Sequence, residues 1–408
     1  MKIQSVEAVW LHVPLPAEKQ HRSDFGQLRA FDGVLVSLRT EDGLVGYGEA
    51  KPAVGSSGNG AALVAIVTQE LAPLLVGQDA AQIGALVARM QNGSRAELAL
   101  RAGRPMAILG RRGVHQAAIA GVDLALWDLA GKARDCSVLA LVGGACRPSI
   151  PAYASGGWGS EEQIGAELGR YVEQGFRAVK MRMGAMDGGL RTSLARVAAA
   201  RKALGPAVAL MVDAHGTLNV AEGKRFCAAA AEHGLRFVEE PVASDDRAGL
   251  AELRANSTLP IAAGESESSC FDFAELVERR ALDVLQPDLA IAGGFSEGQR
   301  IAALAYSNRL ELAPHCWGSA ISFQAARTLA LCSPAGAIDL APWGRVRQLP
   351  GGKMQMFVRD PHGNLIEVAS VPGEKIDAAL FQDELVEPEP GVYRMAPGAS
   401  VGRHEPAR

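Results

Sequence analysis

The chain has 408 residues, of which 48% are hydrophobic and 21% charged, and 41 basic and 45 acidic residues give a net charge of −4. This length exceeds one ordinary domain, so it indicates two domains or one barrel with an accessory part. Since no basic block or stripe is present, the composition excludes nucleic acid and anionic membranes as expected partners.

The first 135 residues predict an α+β domain. KIQSVEAVWLHV alternates loosely as a strand does, and GVLVSLRTEDGLVGYGEA predicts a hairpin that turns at Asp42-Gly43. Apolar residues then recur at helical spacing in AALVAIVTQELAPLL and HQAAIAGVDLALWDLAGKARD. Strands followed by helices, without alternation, are typical of a separate α+β domain.

Residues 148–342 predict an α/β fold, a TIM-like (β/α)7β barrel, because short apolar runs alternate there with amphipathic helical stretches. The strand-like runs are IPAYAS, AVKMRM, VALMVDAH, LRFVEEPV, PIAAGES, DVLQPDL, LELAPHC and GAIDLAP. Residues 343–408 contain the hairpin-like MQMFVRDPHGNLIEV, and we expect this segment to return to the N-terminal domain and complete it.

The barrel runs end in charged or polar residues that are spaced by roughly one βα unit. Active sites of parallel barrels lie at the C-terminal ends of the strands, so these side chains are expected at one mouth. Two of them, Lys180 and Arg182, share a face of their strand, and such a pair of cations predicts an anion between them. The remaining groups are Asp213, His215, Glu239, Glu240, Glu265, Asp288 and His315.

Three of these acids, Asp213, Glu239 and Glu265, end successive strands. Three carboxylates in a partly buried site do not all stay ionised unless a cation joins them. An all-oxygen ligand set suits a hard divalent cation, Mg²⁺ before Mn²⁺ or Ca²⁺. In the alternative interpretation, each acid caps the helix that follows it.

Basic residues near these acids predict proton transfer and anion binding. Asp288 ends the strand next to that of His315, and a carboxylate beside an imidazole supports a general base. Arg182 stays protonated and therefore binds an anion, whereas Lys180 is a candidate acid or base. The alternative for both cations is a solvated position on the barrel rim.

No secretory signal or membrane-spanning run is visible in the sequence, and the six cysteines show no CxxC spacing. Scattered thiols of this kind are typical of a reducing compartment. We therefore expect a cytoplasmic protein without a disulfide framework or a zinc site.

The motifs VDA, EEP, GES, QPDLAIAGGFSE and PHCWG, with GYGEA and GVDLALWDLAGKA before them, resemble the mandelate racemase branch of the enolase superfamily. The resemblance implies a capping domain on the barrel and one Mg²⁺ per chain, with Mn²⁺ possible, on the three acids. It also implies a dyad of His315 with Asp288, and Lys180 over the carboxylate of a small-molecule substrate. Members of this family begin by removing the proton α to a carboxylate that the metal holds.

Some positions depart from the family pattern. The second-strand Lys-x-Lys becomes Lys180-Met181-Arg182, and His215 matches a catalytic histidine of mannonate dehydratase-like members. The eighth strand offers only Asp339 where the family usually has Glu. Substrate selection by N-terminal loops points to KQHRSDFG and AVGSSGNG, with His21 and Arg22 as candidate substrate-binding residues.

The resemblance implies a dehydratase of a sugar acid, an aldonate or aldarate, that eliminates the 3-hydroxyl and leaves a 2-keto-3-deoxy acid. In it His315 acts alone or with His215 or Lys180. A racemase or epimerase and a sugar-lactone cycloisomerase are the enzymatic alternatives, and Arg182 argues against a two-base racemase. A metal-binding paralogue without turnover is the alternative from another class. We also expect a homo-oligomer.

Overall fold

The structure is a computed structural model, in which the chain forms two compact units, Met1–Pro342 and Trp343–Arg408. Beyond residue 334, the backbone of five strands is described. Up to residue 334, the described residues are all except 16–19, 25, 54–59, 93–111, 148 and 151. In this described part, no helix is both long and apolar enough to cross a membrane.

The N-terminal part contains an antiparallel sheet of three strands in the order β1-β4-β5. The predicted hairpin is confirmed, since β4 pairs with β5 around Gly43, whose φ of +90° favours glycine. A smaller hairpin of β2 with β3 comes between β1 and β4 in chain order and forms a separate sheet. The strands are β1 Ile3–Pro14, β2 His21–Ser23, β3 Gly26–Leu28, β4 Ala30–Thr40 and β5 Val45–Ala50.

Helices follow this sheet, as the spacing predicts, and the longest of them packs directly on β5. A Cβ atom at Gly48 would overlap the carbonyl oxygen of Gly121, so the helix lies as close to the sheet as glycine permits. A π-helical turn at Ile66–Leu71 joins the first two helices. The helices are α1 Ala61–Ala65, α2 Ala72–Leu75, α3 Ile83–Asn92, α4 Val114–Ala133 and α5 Val138–Leu141.

The second part contains a seven-stranded parallel sheet whose strands follow chain order. Register pairs Arg182 with Asp213, and Asp213 with Glu239, so the ends of adjacent strands lie side by side. The strands are β6 Ala154–Gly156, β7 Ala178–Arg182, β8 Ala209–Asp213, β9 Leu235–Glu239, β10 Ile261–Ala263, β11 Val284–Leu285 and β12 Glu311–Leu312. The run predicted as the eighth strand, 336–342, lies outside the described residues, so the eighth strand stays a prediction.

Helices alternate with these strands and cover one face of the sheet, while the other face encloses a small apolar cluster. That cluster includes Met211 and Phe237, each two positions before a carboxylate of its strand, so alternation brings Asp213 and Glu239 to the same face. The helices are α6 Glu161–Glu173, α7 Leu190–Leu204, α8 Val220–Ala230, α9 Arg247–Ala255, α10 Cys270–Glu278, α11 Gly294–Ser307 and α12 Ala320–Cys332.

The C-terminal unit contains two antiparallel sheets, one of three strands and one of two. Its hairpin of β14 with β15 confirms the turn predicted in MQMFVRDPHGNLIEV. The predicted return of this segment to the N-terminal domain stays a prediction. The strands are β13 Gly344–Gln348, β14 Met354–Arg359, β15 Leu365–Val368, β16 Leu385–Glu389 and β17 Val392–Met395.

Candidate active site

Three buried carboxylates, those of Asp213, Glu239 and Glu265, meet at the C-terminal ends of β8, β9 and β10. Each offers an oxygen within 4.8 Å of the others. Among the described residues, no hydrogen bond of standard geometry reaches Asp213 Oδ2 or Glu265 Oε2, although both atoms are buried. Such a set of three buried carboxylates fits a hard divalent cation, because oxygen ligands are what such a cation requires. We call these three residues the carboxylate triad.

Two cations of β7 reach the triad from one side. Arg182 Nη1 contacts Asp213 Oδ2, and Lys180 Nζ contacts Glu239 Oε1 and lies 3.4 Å from Asp213 Oδ2. Burial raises the pKa of Glu239, but the charges of Lys180 and Arg182 lower it by a larger amount. The pKa of Glu239 therefore lies below its ordinary value. Both cations therefore contact carboxylates of the triad, and the solvated-rim alternative is wrong because both side chains are buried.

His315 lies at the Glu265 end of the triad and is paired with Asp288. Its Nδ1 is 2.9 Å from Asp288 Oδ2, and its Nε2 is 3.4 Å from Glu265 Oε2. Burial raises the pKa of Asp288, while the hydrogen bond with His315 and the charge of Lys51 lower it below its ordinary value. An ionised carboxylate on Nδ1 orients the ring and leaves Nε2 for chemistry at the triad.

His215 lies at the Asp213 end of the triad, in a second pair of the same type. Its Nδ1 is 3.1 Å from Asp24 Oδ2, and its Nε2 is 3.6 Å from Asp213 Oδ2. Trp158 stands beside this pair, with its ring centre 6.1 Å from that of His215 and 5.4 Å from Arg182 Cζ. Burial and the charge of Arg182 lower the pKa of His215. The hydrogen bond with Asp24 raises it, but the net pKa stays below the ordinary value.

Two residues within two positions of a strand end have unusual backbones. His215 has a φ of +49° and Glu240 a φ of +37°, a region that residues other than glycine rarely occupy. Burial and the neighbouring carboxylates of Glu265 and Glu239 hold the pKa of Glu240 well above its ordinary value. Such strain is concentrated at functional sites, where the surrounding structure maintains it.

The loop that carries His315 is held from the N-terminal sheet. Glu49 of β5 accepts hydrogen bonds from the backbone and hydroxyl groups of Ser319 and Ser322, at the start of α12. Lys51, which is also buried, donates to the backbone oxygen of Trp317. Both contacts fall within seven residues of His315, so the N-terminal sheet takes part in placing that histidine.

The other predicted site residues have side chains outside the described part of the structure. His21 and Arg22 belong to β2, and their side chains lie outside the described residues, as does the whole of Asp339. Their substrate-binding roles stay predictions.

Sequence reasoning missed several residues of the site, namely Asp24, Glu49, Trp158 and Gln286. Gln286 donates to Glu239 Oε2 at 2.7 Å, and its position two residues before Asp288 was a usable signal, because alternation gives both one face. Asp24 lies in the same loop as His21 and Arg22. Nothing in the sequence alone distinguished it from its neighbours as the partner of a histidine almost 200 positions away.

Comparison with known proteins agrees with this geometry. The family described as "Mandelate racemase / muconate lactonizing enzyme, N-terminal domain" matches residues 6–143, and "Enolase C-terminal domain-like" matches residues 163–363. A D-galactarolactone cycloisomerase of Agrobacterium fabrum is 31% identical over 87% of this chain and 90% of its own. A D-galactonate dehydratase of Pectobacterium atrosepticum is 33% identical over 69% of this chain and 71% of its own.

A similar solved structure carries the metal in its description. The crystal structure of a racemase from Streptomyces coelicolor A3(2) with bound magnesium has a TM-score of 0.74 and 28% identity, over 90% of this chain and 97% of that one. Both family descriptions together span most of the described residues, in the order that the motifs predict. The chain belongs to the mandelate racemase branch of the enolase superfamily.

Proposed function

We propose that this chain is a Mg²⁺-dependent dehydratase of a sugar acid, an aldonate or aldarate. The observation that carries the proposal is the pair of histidine–carboxylate dyads, one at each end of the triad. A dehydration needs a base at one carbon and an acid at the next, and two separate imidazoles supply both. The D-galactonate dehydratase relative supports the same reaction class.

His315 takes the proton from C2 of the substrate at Nε2, because Asp288 occupies Nδ1 and stabilises the imidazolium that forms. The electron pair released at C2 then forms the C2–C3 double bond and expels the hydroxyl from C3. His215, protonated on both ring nitrogens with Nδ1 held by Asp24, gives that hydroxyl its Nε2 proton, so water leaves and a neutral imidazole remains. The resulting enol rearranges to a 2-keto-3-deoxy acid, which balances as the substrate minus one water.

The negative charge that develops on the substrate carboxylate is stabilised by a second set of groups. Asp213, Glu239 and Glu265 would hold one Mg²⁺ per chain, which supplies electrostatic stabilisation of the enolate when bound. Lys180 and Arg182 add two fixed positive charges in the same buried volume. Since Arg182 does not release its proton at working pH, we assign it to binding and not to proton transfer.

A sugar-lactone cycloisomerase is the second candidate, because the Agrobacterium fabrum cycloisomerase is similar over 87% of this chain. That reaction also begins with proton removal α to a carboxylate. It differs in the leaving group, which is the ring oxygen of a lactone instead of a free hydroxyl. The same two histidines serve either outcome, so the substrate decides between them.

The test is a turnover screen of aldonates, aldarates and aldaric lactones with Mg²⁺, in D₂O, followed by NMR and a 2-keto acid assay. We expect loss of a hydroxyl-bearing substrate and formation of a 2-keto-3-deoxy acid. His315→Asn should abolish both turnover and C2 deuterium exchange. The control is His12→Asn, which alters a half-exposed histidine paired with Asp32 on the N-terminal sheet.

Two results would contradict the dehydratase. Consumption of lactones alone would transfer the proposal to the cycloisomerase. Full metal binding without turnover of any acid sugar or lactone would favour the non-catalytic paralogue.

A further inference from the structure

We infer that Asp24 is a positioning residue for proton transfer, which a loop of the N-terminal domain supplies to His215. The inference rests on the proposed function for its kinetic consequence, and on geometry alone for the pairing itself. It means that one of the two dyads at the triad is complete only when this loop lies on the barrel.

The loop is the short hairpin of β2 and β3, and Asp24 lies in its turn. Both carboxylate oxygens of Asp24 are used on the barrel side. Oδ1 accepts a hydrogen bond of 2.7 Å from the backbone nitrogen of Met186, and Oδ2 is 3.1 Å from His215 Nδ1. With side-chain exposures of 1% for Asp24 and 2% for His215, the pair is shielded from water.

This arrangement repeats the one at His315. In both pairs a carboxylate holds Nδ1, and Nε2 lies against a carboxylate of the triad, at 3.4 Å for His315 and 3.6 Å for His215. The two pairs differ in the origin of the carboxylate. Asp288 follows β11 of the same parallel sheet, whereas Asp24 comes from a different domain and more than 180 residues earlier in the chain.

A buried imidazole without an acceptor for Nδ1 loses both its fixed tautomer and its fixed ring orientation. Trp158 packs beside His215 but does not replace a charged acceptor. We therefore expect the loss of Asp24 to impair the step that His215 performs, proton delivery to the leaving hydroxyl. Proton removal by His315 depends on Asp288 and should continue.

The kinetic test compares Asp24→Ala, Asp24→Glu and a control, Asp42→Ala, in the exposed turn between β4 and β5. In D₂O with Mg²⁺, product formation and C2 deuterium in recovered substrate are measured together. For Asp24→Ala we expect turnover to fall about 10- to 100-fold, the usual cost of losing an orienting partner, while exchange persists. Asp24→Glu should recover part of the turnover, and Asp42→Ala should match the unaltered enzyme.

A second readout does not need the substrate. With ¹⁵N-labelled histidine, the imidazole signal of His215, assigned by its loss in His215→Gln, reports which ring nitrogen carries the proton. We expect Nδ1 of His215 to carry a proton that it donates to Asp24 in the unaltered protein, and a changed Nδ1 signal in Asp24→Ala. An enzyme that turns over no acid sugar would refute the proposed function, and the imidazole signal would still decide the pairing.

Two results would overturn the inference. One is an unchanged imidazole signal and unchanged turnover in Asp24→Ala. The other is an equal fall of turnover and exchange in that variant, which would make Asp24 a general support of the site.

Discussion

Arg182 of β7 is held between Asp213 and Trp158, with its guanidinium contacting the carboxylate and lying 5.4 Å from the centre of the indole ring. A lysine of the same charge lacks the planar guanidinium that lies over the Trp158 ring at this position. Arg182, which departs from the Lys-x-Lys pattern of the family, is therefore held in the site by contacts with Asp213 and Trp158.

We expect Arg182→Lys to raise KM for the acid substrate about 10-fold, with a smaller change in kcat. The lysine keeps the positive charge but loses the planar guanidinium that orients the substrate. Steady-state kinetics at saturating Mg²⁺ would measure this split. Arg191→Lys, an exposed residue near the start of α7, is the matched control. Unchanged KM and kcat in Arg182→Lys would make Arg182 a bystander to substrate binding.

Replacing Glu239 by Gln should remove the metal-dependent activity while the fold is retained. Gln has the same shape but no charge, so the triad loses a ligand that Lys180 and Gln286 hold in place. We expect turnover to fall at least about 100-fold, and Mg²⁺ binding by calorimetry to weaken in parallel. The control is Glu278→Gln at the exposed end of α10. Full activity of EDTA-treated wild-type protein would refute the metal site.

Glu49 couples the N-terminal sheet to the loop of His315, and Glu49→Ala should lower stability and turnover together. The change removes the acceptor of the half-buried Ser319 and the buried Ser322, and each buried donor left unpaired costs about 1–3 kcal/mol. We expect the free energy of unfolding in urea to fall by about 2–4 kcal/mol, with Glu49→Gln intermediate. Glu41→Ala, in the exposed hairpin turn, should change neither quantity. Wild-type stability and turnover in Glu49→Ala would disprove the coupling.

Asp123 of α4 gives a prediction on pH. Burial raises its pKa from 3.8 to about 6, although hydrogen bonds from Ser296 lower it. Because the folded protein binds this proton more tightly than the unfolded chain, stability declines as pH rises from about 4 to 6, and the cost persists above that range. Asp123→Asn lacks a charge to bury, so its advantage over wild type should grow by roughly 2–3 kcal/mol across this range.

The measurement for Asp123 is urea unfolding of both proteins at several pH values between about 4.5 and 7.5. Asp135→Asn, just beyond the end of the same helix and exposed, controls for a general change of charge. Parallel pH curves for wild type and Asp123→Asn would show that this carboxyl is not the source of the dependence.

Residues that end a strand were predictable from the sequence, since their spacing and alternation are local properties. Asp213 and Glu239 lie beside each other because the strands pair in chain order, and Asp288 meets His315 for the same reason. Contacts between domains were not predictable in this way. No periodicity relates Asp24 to His215, or Glu49 to Ser319. These partners lie about 190 and 270 positions apart, and a contact between such distant residues leaves no local sequence pattern.

The positions of the charges at the site were predictable from the sequence, but their contacts with the carboxylate triad were not. The binding of substrate by Lys180 and Arg182 stays a prediction, and the structure adds contacts of both side chains with the carboxylate triad. The strand pattern indicates which face a side chain occupies. It does not indicate which of several anions on that face lies within reach, since rotamers and short loops decide that.

The close approach of α4 to β5, through Gly48 and Gly121, has a consequence for protein engineering. The same helix bonds to α11 of the second part, where Asp123 accepts hydrogen bonds from Ser296. A chimaera that exchanges residues 1–135 between relatives would keep the glycine contact but cut the buried polar contact between Asp123 and Ser296. Grafts that carry Ser296 along with the N-terminal part should express in folded form more often than grafts cut at the domain border alone.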